Sequence, residues 1–209
     1  VMPAKKTGTK AKSIFPEEGE NVFKKSITQN LSVAMPLFNI GYKDKCGYDG
    51  DELLKNEIAA EILLMSVAGK SSDLYSSLYE EGLINEEFSF DLMYENAFSC
   101  VMIGGESKNP ELVCEKISDY IAKKGKISED EFLRAKKVIW GDYVRTFNNV
   151  EKTAQMFLRN TLKGINTLNF KEIFDKTDID FVNKKYKELF AENKKAVSTV
   201  YPSEGKKDE

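Results

Sequence analysis

Phe88-Ser89-Phe90-Asp91-Leu92-Met93-Tyr94-Glu95-Asn96-Ala97-Phe98-Ser99-Cys100-Val101-Met102-Ile103 is the stretch that decides the fold. Phe88, Phe90 and Leu92 alternate with Ser89 and Asp91, the two-residue period of a strand with one buried face. Glu95-Asn96 reads as a turn. Ala97–Ile103 reads as a second strand, antiparallel to the first, and Gly104-Gly105 is expected to close it. Helical patterns flank this hairpin on both sides. The combination argues for an α+β fold: a mixed, largely antiparallel sheet with helices packed on one face.

Upstream, Val22–Val33 reads as a strand of mixed polarity. Met35–Tyr42 reads as a more buried one, carrying Leu37, Phe38 and Ile40, and Gly47 to Gly50 make a turn. A helix is expected from Asp51 to Ala68, where Leu54, Ile58, Ile62 and Met65 recur at three- and four-residue steps. Asp51 and Glu52 suit its positive end, and Gly69 suits its C-cap. Ser71-Ser72-Asp73 can cap a shorter helix through Glu81, which Gly82 ends.

Downstream the chain is mostly helical. Asn109-Pro110-Glu111 is a start signal with proline in the first turn. Ser128 and Glu131 form a capping box for a longer helix with the stripe Phe132, Ala135, Val138, Ile139, Tyr143 and Phe147. A further helix spans Val150–Lys163, Asn169–Asp175 is a short helix at most, and Thr177–Asp180 opens one that runs to Ala191. Ala196–Tyr201 is the closing strand, stopped by Pro202. The organisation is a polar linker or incoming tail at 1–20, one α+β domain at 21–202 and a solvated tail at 203–209.

Composition narrows function. The 209 residues are 41% hydrophobic and 31% charged with a net charge of −3, an ordinary globular balance with no basic field for nucleic acid. No run approaches the roughly 18 apolar residues of a membrane span. Cys46, Cys100 and Cys114 form no CxxC pair, which favours free thiols and a reducing, cytoplasmic setting. No leader peptide is legible, and the Val1-Met2 start reads as the boundary of a piece of a longer chain. The decisive count is histidine: there is none. Designs built on Ser-His-Asp, Cys-His or a histidine-ligated zinc are excluded within this chain.

The remaining clusters read more simply. Asp49-Gly50-Asp51-Glu52 lacks the alternating oxygens of a calcium loop and reads as a helix start. Gly104-Gly105-Glu106-Ser107 matches no phosphate-loop pattern and reads as a turn. Glu80-Glu81 and Glu86-Glu87 read as solvated acids. Tyr75, Tyr79, Phe88, Phe90, Tyr94 and Phe98 read as a core between helix and sheet, and Trp140 as a packing residue. Nothing in the spacing supports an independent lysine- or carboxylate-based enzyme.

One longer pattern remains. Asn56 through Ile84, a helix ending in Ala68-Gly69 followed by Ser71-Ser72-Asp73-Leu74-Tyr75 and Leu78-Tyr79-Glu80-Glu81-Gly82-Leu83, resembles the C-terminal, non-zinc-binding domain of the insulinase-type or processing-peptidase-like zinc metallopeptidases (the inverzincins). There the pattern is Ser-Ser-x-Leu-[Tyr/Phe]-x-x-Leu-Arg-Glu-x-Gly-Leu-x-Tyr. Pro36–Tyr42 resembles the strand before that helix, and Ile127–Lys137 a loop-to-helix segment; together the likeness covers residues 20–202. The resemblance implies one half of a two-half peptidase. The H-x-x-E-H zinc motif would lie in an N-terminal domain of the same polypeptide, so no cofactor is expected in this chain and zinc is expected there. It implies that this domain completes a chamber and offers wall to a peptide or unfolded-protein substrate, with homo- or heterodimer pairing possible. It also implies substrate-binding positions at Ser71, Ser72, Tyr79 and Asn85. Tyr79 and Asn85 stand where the family has Arg and Tyr, so neither supplies a permanent cation. The competing reading is an assembly or peptide-binding module from an inactive family member.

Overall fold

The computed structural model describes Ile14, Gly19 and residues 21–203. The expected linker at 1–20 and tail at 203–209 therefore lie almost wholly outside the described residues. Five strands form one sheet: β1 (Ser26–Leu31), β2 (Leu37–Asp44), β3 (Ser89–Tyr94), β4 (Ser99–Glu106) and β5 (Lys195–Pro202), in the order β1-β5-β2-β4-β3. β1 runs parallel to β5, and every other pairing is antiparallel. The 88–103 hairpin forms, with Tyr94 opposite Ser99.

The helices are α1 (Gly50–Ala68), α2 (Asp73–Glu80), α3 (Pro110–Lys124), α4 (Glu129–Thr146), α5 (Val150–Leu162), α6 (Phe170–Lys176) and α7 (Ile179–Leu189). Local chemistry explains their ends. Ser72 caps α2 by accepting from Tyr75 N at 3.1 Å. The capping box of α4 is complete: Ser128 Oγ accepts from Glu131 N, and Glu131 Oε2 accepts from Ser128 N. Gly82, at φ +67°, takes the left-handed turn that ends α2.

Alternation along the strands sets the core. Phe38, Ile40, Tyr42, Val101, Ile103 and Tyr94 are buried on one face of the sheet. Helix α1 lies against that face, with Leu53, Ile58, Ile62, Leu63, Leu64 and Val67 buried. Helices α4, α6 and α7 pack on α1, while α3 packs on β2 and β5. The expected aromatic core divides: Phe88 and Tyr94 are buried, whereas Tyr79 and Phe98 are exposed. Trp140 is partly buried against the core, 5.8 Å from the Phe174 ring.

Two expectations need correction. Gly104-Gly105 do not close β4; the strand continues through them to Glu106. A Cβ at Gly104 would sit 2.8 Å from the Phe38 carbonyl oxygen. Glycine is therefore required here by the close approach of β2. The first strand is also shorter than Val22–Val33, with all six of its residues exposed at the sheet edge.

A buried polar cross-link ties the layers together. Lys185 of α7 reaches Asp44 Oδ2 of β2 at 2.5 Å and donates to Asn56 Oδ1 of α1 at 2.8 Å. The Tyr94 hydroxyl of β3 donates to the same Asp44 oxygen. Asp44, Lys185, Tyr94 and Asn56 are all buried. Removing one partner of such a pair strands the other charge in a low dielectric. Lys185→Ala is expected to lower unfolding free energy by about 3–5 kcal/mol. Lys185→Met combined with Asp44→Asn, which leaves no lone charge, should cost less than Lys185→Ala; urea denaturation checks both.

Candidate functional site: the uncovered face of the sheet

Residues alternating with the core positions point to the opposite face. They are Asn39, Gly41 and Lys43 of β2, Ser89, Asp91 and Met93 of β3, Cys100 and Met102 of β4, and Ser198 and Val200 of β5, none of them buried. The helices pack on the other side, so among the described residues this face is uncovered. It holds a depression of about 540 Å³, bounded by Leu37, Asn39, Ser89, Asp91, Met102 and Val200. Its charged lining residues are Glu87, Asp91 and Glu106, all acidic.

Asn85 stands at the rim. Its amide nitrogen donates to Glu106 Oε2 at 3.0 Å, and its amide oxygen accepts from Glu87 N at 3.0 Å. It thus fixes one acidic side chain of the depression and the backbone of a second. Tyr79 is half exposed and stacks on Tyr75, centroids 5.8 Å apart; Tyr75 meets Phe88 edge-on at 5.8 Å. Ser72 is buried with its hydroxyl engaged in capping, and Ser71 is exposed beside it. The fold therefore brings Asn85 to the depression through Glu106, places Tyr79 on the neighbouring helix and gives Ser72 a structural task. Sequence reading missed Glu106, Asp91 and Met102. The alternation that marks Phe90 and Leu92 as inward also marks Asp91 as outward, so that signal was available.

No three or more Cys, Asp or Glu side chains among the described residues are placed to hold a metal ion, and histidine is absent from the chain. The residues present do not fit a catalytic zinc, which takes nitrogen and carboxylate ligands from one cluster.

A second cavity, about 340 Å³, lies between α1, α4, α5 and α6. Glu57 and Glu61, one turn apart on α1, line it together with Arg159 and Lys152 of α5. Arg159 pairs with Glu57 at 2.5 Å. Burial, with the nearby Glu57 and Asp142 charges, pushes the Glu61 carboxyl up to about 7.

Against this geometry the comparisons are specific. No family model matches the chain. It is 32% identical over 190 residues to the uncharacterized zinc protease YmfH of Bacillus subtilis, a match that covers 89% of this chain and 44% of that protein. Its backbone follows a protein described as an M16-like peptidase from Alicyclobacillus acidocaldarius, with a TM-score of 0.87 at 26% identity, over 91% of this chain and 46% of that one. Over nearly its whole length the chain is similar to part of these zinc-protease and M16-like peptidase relatives. It spans about half the length of these two relatives. It also shares its fold with the inactive peptidase domain of a zinc protease from Bordetella parapertussis, at a TM-score of 0.70 and 15% identity, covering 84% of this chain and 95% of that one. The α+β architecture with a one-sided helical layer is thus that of an M16-like domain. No helix among the described residues is long and apolar enough to cross a membrane.

The Glu61 carboxyl gives a pH test. Its folded-state value lies above the ordinary 4.5, so the folded state holds the proton more tightly than the unfolded chain. Its contribution to stability is present below about pH 4.5 and is lost as pH rises toward 7. Glu61→Gln is expected to flatten that decline and raise Tm at pH 8 by roughly 2–4 °C, read by thermal melts from pH 4 to 8.

Proposed function

We propose that this chain is the non-catalytic half of a longer zinc metalloendopeptidase. It completes the substrate chamber and supplies a peptide-binding wall, while the zinc and its H-x-x-E-H motif lie in a half outside this sequence. The observation that carries the reading is the uncovered sheet face in a chain without histidine: a surface able to hold an extended peptide, in a polypeptide with no ligand set for the metal.

The chemistry of the wall follows from its lining. Leu37, Met102 and Val200 offer apolar contact, and Asn39, Ser89 and Ser198 offer hydrogen bonds to a peptide backbone. Glu87, Asp91 and Glu106 favour basic side chains of the substrate by simple charge complementarity. Asn85 keeps Glu106 oriented, and Tyr79 presents an exposed ring beside α2. In this role the domain contributes binding that is equal in the ground state and the transition state, so its loss acts on KM.

In the longer polypeptide, Glu106→Ala is expected to raise KM for a Lys- or Arg-containing peptide by roughly 3- to 10-fold, with kcat within about twofold. A neutral peptide should be affected less, and zinc content should not change. A fall in kcat at unchanged KM, or equal effects on basic and neutral peptides, contradicts the assignment of the wall. An open reading frame that lacks H-x-x-E-H upstream of this segment contradicts the zinc peptidase reading itself.

A further inference from the structure

We infer that β1 is a self-association edge, through which two copies of this chain pair antiparallel at Ser26–Leu31 into one continuous sheet. β1 lies at one end of the sheet, next to β5, and among the described residues no strand pairs with its other side. Val197 N donates to Lys25 O, and Ser203 N donates to Leu31 O. The odd-numbered residues therefore turn their backbone groups toward β5. Alternation leaves Ser26, Thr28 and Asn30 with both N–H and C=O on the open side. All six residues of the strand are exposed. The strand contains no charged residue and no proline, the usual guards of an open edge.

β3, at the opposite edge of the sheet, is guarded. Asp91 lies within it, and Glu87 and Glu95 lie just outside its ends. A second copy of β3 laid against it would meet like charges. β1 has no such barrier, and its side chains match themselves. Ile27 and Gln29 stand in register with Ser198 and Val200 on the uncovered face, and Leu31 follows two residues on. Thr28 points to the helical side, where its hydroxyl lies 2.9 Å from that of buried Thr199. With Gln29 placed opposite the partner's Gln29, Ile27 meets the partner's Leu31 and Leu31 meets the partner's Ile27. These side chains are 43% and 49% exposed in the single chain. The same register sets Thr28 opposite the partner's Asn30, so that the open N–H and C=O groups of each such pair exchange hydrogen bonds. Lys24 and Lys25 then face the partner's Ala34 and Val33, and not each other. One register thus serves backbone, apolar side chains and charges together, which selects a second copy over an unrelated strand. So short an edge covers less than the about 800 Å² per partner of a standard interface, so the dimer is weak, with a Kd on the order of micromolar. Three strands separate β1 from β3, so pairing at β1 leaves the acidic side of the depression open.

The test is Gln29→Cys in the full-length polypeptide that contains this segment. The two thiols would face each other across a non-hydrogen-bonded pair, with Cα atoms about 4.5 Å apart, close enough for a disulfide. Mild oxidation is expected to give a product of dimer mass, with residue 29 linked to residue 29 in the digest. Asn30→Cys is the control. Its thiols would stand two residues out of register, beyond the roughly 7 Å Cα limit for a bridge, so it should cross-link at least tenfold more slowly. A Gln29→Cys product of monomer mass, a bond to any other cysteine, or equal cross-linking by Asn30→Cys would overturn the inference. Sedimentation velocity gives an independent reading. Gln29→Lys places two like charges opposite each other and should raise the dimer dissociation constant at least tenfold, while the melting curve at low protein concentration does not move. An unchanged dissociation constant counts against β1 as the contact.

Discussion

Helix α1 is the constraint on which the rest of the molecule depends. Twelve of its 19 residues are buried, and they point in every direction around the helix. A helix apolar on all sides must be enclosed on all sides. The sheet closes one side, and α4, α6 and α7 close the others. Burying that many side chains, at roughly 1.5–3 kcal/mol for each large one, outweighs any local preference for another arrangement. The polar cross-link from Lys185 to Asp44, Asn56 and Tyr94 then fixes the register of α7, β2, α1 and β3 around it.

One-sidedness follows. With every helix engaged on the α1 side, the other face of the sheet keeps a water-compatible surface of Asn39, Ser89, Asp91 and Ser198 and a shallow acidic depression. A buried sheet face would carry branched and aromatic residues at these positions. The departures from the family pattern at Tyr79 and Asn85 fit the same picture. Neither brings a cation; Asn85 instead positions the Glu106 carboxylate.

Sequence periodicity carried far where the determinants are local. Pro110, the Ser128–Glu131 box and Gly82 mark helix ends because capping involves residues three or four apart. The alternation at Phe88, Phe90 and Leu92 gave the hairpin for the same reason. Legibility ended where distant chain segments decide. Gly104-Gly105 read as a stop, because glycine weakens an average strand; the carbonyl of Phe38, 66 residues earlier in the chain, turns it into a requirement. Asn85 was singled out through a family likeness, yet its partner Glu106 is set by the fold.

The central claim is a division of labour: this chain shapes and binds, and a separate half holds the metal and cuts. Producing the 209-residue chain and the remaining half of the parent polypeptide separately, then mixing them, tests it directly. Metal analysis and a fluorogenic peptide assay should find near-zero zinc and no hydrolysis in this chain. They should find about one zinc and weak activity in the other half, with hydrolysis rising many-fold on mixing. Stoichiometric zinc with hydrolysis by this chain alone, or a mixture no more active than the metal-bearing half, would contradict the account.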